Sequence, residues 1–136
     1  MKKFAILLIA SISLFAQSGE ELFKNKCSMC HKVKIPNSME NLIAPPAFAI
    51  TMHVKKEHPN LKEFTNFVQD YVINPSKEKA LCAKKTVKRF GVMPSQKNSV
   101  TKEELSKIAK YLYSNFAKNS FEENHKMLKK KMNIKE

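Results

Sequence analysis

The sequence has little of what several common folds require. Its 136 residues include no tryptophan and only two glycines, and aromatic residues are few. A β-sandwich with many tight turns, or a glycine-rich loop that binds nucleotide phosphates, needs more glycine than this. The chain also has no internal repeat and no extended strand-like alternation of apolar and polar residues. These absences favour one compact all-α domain.

The first residues predict an export signal. A basic start, "MKK", is followed by a largely apolar run over residues 4–15 and then by small or polar residues. The run is short for a membrane span, which needs about 20 residues. We expect a cleaved signal peptide over residues 1–16, with cleavage after Ser18 as the alternative, and a periplasmic mature protein.

Cysteine is scarce as well, and its number is odd. The chain has three cysteines, so one stays unpaired whatever the pairing. An exported protein usually uses an even set of cysteines for disulfides. Cys27 and Cys30 are close together, whereas Cys82 lies far along the chain. We therefore expect a role other than a disulfide framework for the close pair, and a small apolar role for Cys82.

The stretch "CSMCH" places His31 directly after the cysteine pair. A zinc site would need a fourth ligand and normally a second close pair, and a redox dithiol would need a βαβ context. Both remain alternatives. The pattern C-x-x-C-H is the signature of covalent haem attachment. Two thiols add to the vinyl groups on one side of the porphyrin, and the adjacent imidazole reaches the iron. We interpret the motif as the site of one haem c.

A haem iron held by histidine has either a second axial ligand, for electron transfer, or an open position, for ligand chemistry. In "GVMP", Pro94 favours an extended backbone at Met93, which can then present its sulfur inward. Met93 is the predicted second ligand. His53 is the main substitute, and it would lower the reduction potential.

Four segments predict helices from their apolar spacing and end signals. They begin near residues 18, 60, 76 and 101 and run to about residues 32, 74, 90 and 116. Thr101 with Glu104, and Asn60 with Glu63, give capping-box patterns. The last helix is expected to cross the first near Phe23, and the aromatic residues of the middle segments are expected to line a haem crevice.

The stretch over residues 32–50 is predicted to be irregular, because two adjacent prolines cannot continue a helix. A backbone carbonyl in this stretch can accept a hydrogen bond from the second ring nitrogen of His31, which would orient the ring. The predicted acceptor is Pro45 or Pro46, and we include Pro46 in the cofactor site.

Together, "CSMCH", "GVMP" and the terminal "LSKIAKYLY" resemble a monohaem class I c-type cytochrome of the bacterial periplasm. Gly19 and Phe23 also match the family's N-terminal helix, where a small residue lets the terminal helix cross closely. The resemblance places a cytochrome c domain over residues 17–117 and leaves a basic extension over residues 118–136. It implies a cytochrome c-like fold of about four or five helices around one covalent haem.

The resemblance implies a role for each residue of the predicted haem site. Cys27 and Cys30 form the thioether attachments, and His31 and Met93 are the axial ligands. Outer-sphere transfer of one electron follows as the function, without enzymatic turnover. The alternatives are a haem enzyme or small-ligand sensor in which Met93 is displaced, and a haem subunit of a larger oxidoreductase. A monomer is expected, with a dimer linked through Cys82 as the alternative.

The charge balance indicates the kind of partner. The formal net charge is +13, which predicts redox partners with acidic docking surfaces. Nucleic-acid binding is not expected of an exported haem protein, and membrane contact is expected to be peripheral at most. The candidate docking cations are Lys32, Lys34, Lys84, Lys85, Lys88, Arg89 and Lys97.

Overall fold

The computed structural model describes residues 17–34 and 40–116, and within these ranges it contains helices and no strands. The helices are α1 (Gly19–Lys26), α2 (Ala47–Glu57), α3 (Leu61–Ile73), α4 (Lys84–Phe90) and α5 (Lys102–Asn115). The predicted all-α class is therefore confirmed. The predicted signal peptide and C-terminal extension lie outside the described residues.

Helix α1 begins where the sequence predicts but ends earlier. The Ser18 hydroxyl accepts from the Glu21 N–H, and the Glu21 carboxylate accepts from the Ser18 N–H, which completes a capping box. The predicted continuation through "CSMCH" is wrong. The Ser28 N–H donates to the Phe23 carbonyl five residues back, at 3.0 Å, a bond that closes a helix C-terminus.

Helix α5 crosses α1 at a very short distance. A Cβ atom added to Gly19 would overlap the Lys107 carbonyl oxygen, so no side chain fits there. One turn further, the rings of Phe23 and Tyr111 lie 5.8 Å apart between centroids. The predicted crossing of the first and last helices is confirmed. The predicted Thr101–Glu104 capping box is also present at the start of α5.

Helix α2 was not predicted. The sequence prediction placed residues 32–50 in an irregular stretch, but a helix begins at Ala47, directly after the two prolines. Pro46 occupies the N-cap position with φ −65°. Proline is compatible with a helix start, because the first N–H groups of a helix have no partner within it. The prolines therefore precede this helix and do not prevent it.

Helix α3 agrees with its prediction, whereas α4 is shorter than predicted. The Asn60 side chain caps α3 by accepting from the Glu63 N–H at 2.9 Å, but the return bond from the Asn60 N–H to the Glu63 carboxylate, which the predicted capping box requires, is not formed. The segment predicted as a helix from residue 76 forms a turn first, and α4 begins only at Lys84. The intervening "KEK" is polar on every side, so a helix there would have no apolar face to bury.

The core is built by α1, α2, α3 and α5. Its buried residues are Leu22, Phe23, Ala47, Val54, Phe64, Val68, Leu105, Ile108, Ala109 and Leu112. Helix α4 contributes no buried residue. Within the described residues, no helix is long and apolar enough to cross a membrane.

Candidate haem-binding site

A cavity of about 430 Å³ opens beside this core. Its walls come from all five helices and from the loops that follow α1 and α4. Core side chains such as Phe23, Phe64 and Ile108 form part of the wall. The predicted aromatic lining by the middle segments is present too, at Phe67 and Tyr71.

The end of α1 places the cysteine pair on the cavity wall. Cys27 and Cys30 both line the cavity, and neither is in a disulfide. Burial raises the pKa of the Cys27 thiol to about 11. A redox dithiol requires a thiolate near neutral pH, so this environment disfavours that alternative. The described residues contain no cluster of three or more histidine, cysteine or acidic side chains placed to hold a metal ion.

His31 is oriented by one backbone contact. Its Nδ1 atom lies 2.7 Å from the Pro45 carbonyl oxygen. A carbonyl can only accept, so Nδ1 carries the proton and the lone pair is on Nε2, which is available for a metal. Burial lowers the pKa of His31, and the contact with Pro45 opposes this shift in part. A neutral imidazole is the form that binds iron.

Of the two predicted acceptors, Pro45 is the one that contacts His31, and the inclusion of Pro46 in the cofactor site is wrong. The Pro46 carbonyl already accepts from the N–H groups of Ala49 and Ile50, at 3.0 and 3.2 Å, because it starts α2. The neighbouring loop is tied to the same place, since the Ala47 N–H donates to the Lys32 carbonyl at 2.9 Å. The start of α2 thus fixes both the ring of His31 and the loop behind it.

Met93 lines the same cavity on a loop that two hydrogen bonds attach to the end of α3. The Ser95 hydroxyl donates to the Ile73 carbonyl, and the Gln96 N–H donates to the Val72 carbonyl at 2.9 Å. Gly91 begins this loop with φ 75° and ψ −172°, a conformation that is essentially restricted to glycine. The loop is therefore attached to α3 directly after the methionine.

Two further predicted residues also reach the cavity. His53 lines it from α2 and is half-buried, and burial together with Lys56 lowers its pKa. Cys82 lines it from the segment before α4, and burial raises its thiol pKa. The cavity thus brings together Cys27, Cys30, His31 and Met93 with the alternative ligand His53, whereas Pro46 does not line it.

Apart from His53, the residues that α2 contributes to the cavity were not predicted. Ile50, Thr51 and Val54 line the cavity, and they were overlooked because α2 was predicted to be irregular. Their positions follow the helical spacing of an apolar face, and that signal was present in the sequence. Thr51 is unusual, because its hydroxyl is fully buried with no hydrogen-bond partner in the described part of the chain.

These features fit a haem. The walls are mostly apolar, and the cavity brings together the Cys27 and Cys30 thiols, the neutral His31 imidazole and the Met93 thioether, all groups that attach haem or bind its iron. The volume and lining suit one large apolar group rather than a bare metal ion.

Comparison with known proteins agrees with this chemistry. Residues 15–112 match the family described as "Cytochrome C oxidase, cbb3-type, subunit III". The chain belongs to this family: it is a monohaem c-type cytochrome with a covalently attached haem c. A protein of Aquifex aeolicus (strain VF5) that bears the name "Uncharacterized protein" is 34% identical over 151 residues, covering 97% of this chain and 99% of the relative. No solved structure matches the chain.

Haem-based electron transfer is the chemistry that follows from this family. When bound, a haem c supplies an iron that changes between the ferrous and ferric states. Cys27, Cys30 and His31 would hold the cofactor, and the apolar wall would shield it from water.

Proposed function

We propose that the chain is an exported, periplasmic electron carrier in which His31 and Met93 bind the iron and Cys27 and Cys30 attach the haem. One observation carries this proposal: all four side chains line a single apolar cavity. A signal peptide over residues 1–16 and a monomeric mature chain belong to the same proposal.

The hydrogen bonds that hold the two proposed iron ligands favour electron transfer without structural rearrangement. The His31 ring is fixed by the Pro45 carbonyl, and the Met93 loop is fixed by Ser95 and Gln96. Ligands that stay in place in both oxidation states keep the reorganisation on electron transfer small. A thioether ligand in an apolar cavity also favours the ferrous state and raises the potential.

Replacement of Met93 tests the ligand set. In Met93→Ala we expect loss of the weak ferric absorption band near the red end of the visible spectrum, together with a lower potential, because the thioether ligand is gone. Met52→Ala is the matched control, since Met52 is a half-buried methionine of α2 outside the cavity wall. A ferric band that survives in Met93→Ala would contradict the proposal. A high-spin spectrum of the unaltered chain that responds to small ligands would support the enzyme or sensor alternative.

The proposed partner is a redox protein with an acidic docking surface. No acidic residue occurs between Lys79 and Lys102, and α4 exposes Lys84, Lys85 and Lys88. The opposite side of α4 lines the cavity through Val87 and Phe90. A partner that binds the basic side would thus come close to the cofactor.

A second candidate function is a haem subunit of a larger oxidoreductase. The family description, which names an oxidase subunit, favours it. The two candidates differ in the permanence of their contacts. A carrier should separate from its partners in high salt, whereas a subunit should co-purify with the same proteins in stable proportion.

A further inference from the structure

The cavity wall is poor in charged groups. Among its described residues there is no aspartate, glutamate or arginine, and the basic residues are Lys26, His31 and His53. Because so few charges line the site, each one has a large effect on a charged group placed inside it.

Two of these three basic residues already have partners. Lys26 Nζ lies 3.1 Å from the Glu104 carboxylate and donates to the Ser99 carbonyl at 2.7 Å. The Nδ1 atom of His31 is hydrogen-bonded to the Pro45 carbonyl. Its other ring nitrogen, Nε2, is the proposed iron ligand. The His53 ring has no hydrogen bond to another of the described residues.

The propionate groups of a bound haem need partners in the cavity wall. Its edge carries two propionate carboxylates, and a carboxylate in a largely apolar site requires a cation or several hydrogen bonds. Neutral groups in the wall, such as Gln96 and Ser99, can donate hydrogen bonds but do not change charge. His53 is the cavity residue that can both donate a hydrogen bond and gain a charge near neutral pH.

We propose that His53 binds a haem propionate and thereby couples its own protonation to the oxidation state of the iron. This inference goes beyond the carrier role: it depends on the covalent haem and on His53 not being the iron ligand, and it holds whichever partner delivers the electron.

The direction of the coupling follows from charge. One electron from the donor lowers the charge of the site by one unit, so His53 binds a proton from solvent more tightly in the ferrous state. By linkage, a protonated His53 stabilises the ferrous state and raises the potential. The potential should therefore fall as pH rises between the pKa values of His53 in the ferric and ferrous states.

The other groups around His53 leave this coupling intact. Burial lowers the pKa of His53, the Lys56 charge on α2 lowers it further, and a propionate would oppose both effects. The wall residues of α5, Leu105, Ile108 and Leu112, are apolar. From α3 the only titratable group in the described wall is Tyr71, whose pKa is raised from its ordinary value by burial, away from the neutral range.

Redox titration against pH tests the proposal. Potentials are measured from about pH 5 to about pH 9, the range in which a histidine titrates, for the unaltered chain and for His53→Gln. His58→Gln is the control, because His58 is a half-buried histidine that stacks on Phe67 and is not part of the cavity wall. We expect about a tenfold difference in proton affinity between the two states, equal to about 59 mV. This fall should be present in the unaltered chain and in His58→Gln and absent in His53→Gln.

A fall that persists in His53→Gln, or a flat potential in the unaltered chain, would overturn the proposal. So would loss of the low-spin spectrum in His53→Gln, since His53 would then be an iron ligand. Should the variant fail to mature, nuclear magnetic resonance of the unaltered chain decides the question. The His53 ring must show a higher pKa in the ferrous than in the ferric protein, and equal values would refute the coupling.

Discussion

At the scale of single residues, Thr51 is the least satisfied group in the wall of the cavity. Its hydroxyl has no hydrogen-bond partner in the described part of the chain, although the side chain is fully buried. A buried hydroxyl left in this state costs about 1–3 kcal/mol. A threonine inside a helix can avoid this cost by donating to the carbonyl four residues back, and Thr51 does not do so.

Thr51→Val should therefore leave the stability unchanged or raise it by on the order of 1 kcal/mol, because it removes the unpaired hydroxyl and keeps the shape. Thr51→Ser is the matched comparison, since it keeps the hydroxyl and loses a buried methyl group, and it should destabilise by about 1 kcal/mol. Denaturant unfolding of the haem-loaded protein measures both. A large loss in Thr51→Val would mean that the hydroxyl has a partner in the loaded site.

The residues proposed to attach the haem and bind its iron could be predicted from the sequence because they lie in short local patterns. The spacing of Cys27, Cys30 and His31, and the proline after Met93, can be recognised without the fold. The acceptor for His31 was not predictable to one residue. Pro45 and Pro46 are equivalent as sequence, and only the start of α2 assigns the second carbonyl to the helix.

At the scale of helices, the close contact between α1 and α5 depends on Gly19, which has a hydrogen atom in place of a side chain. Gly19→Ala should destabilise the fold by about 1–3 kcal/mol, because the new methyl group would overlap the Lys107 carbonyl and force the helices apart. This exceeds the gain in helix propensity, which is at most about 1 kcal/mol. Thermal unfolding measures the change.

Lys24→Ala on the exposed side of α1 provides the control, and it should change the stability by no more than about 0.5 kcal/mol. If Gly19→Ala were as stable as this control, the close crossing would not hold the fold together.

The helices with clear end signals were predicted well, and the others were not. Asn60 and Thr101 mark the starts of α3 and α5, because their side chains cap the first turn of each helix. Helix α2 has no capping side chain, and its start depends on Pro46 and on the Lys32 carbonyl that receives the Ala47 N–H. A contact between residues that far apart cannot be inferred from local sequence.

At the scale of the whole molecule, the positive charge should determine how fast partners arrive. The net charge of +13 is not evenly spread, since residues 79–102 carry no acidic side chain. Charge reversal of Lys84, Lys85 and Lys88 together should slow association with an acidic redox protein by about tenfold or more at low salt. Stopped-flow reduction at several ionic strengths measures this.

Salt should reduce the rate for the unaltered chain and have a weaker effect on the triple variant, because screening acts only on the charges that remain. Reversal of Lys62 and Lys110, which are exposed on α3 and α5, is the control for general charge. Equal effects of the two variants would mean that the α4 surface has no special role in docking.

The central claim is that one haem is joined to this chain through Cys27 and Cys30. The most direct test is the intact mass of the exported protein, produced together with a cytochrome c maturation system and measured under denaturing conditions. We expect a chain that lacks the signal peptide and exceeds its polypeptide mass by one haem, with the added mass lost when both cysteines are replaced by alanine. A mass equal to the polypeptide alone would contradict the account.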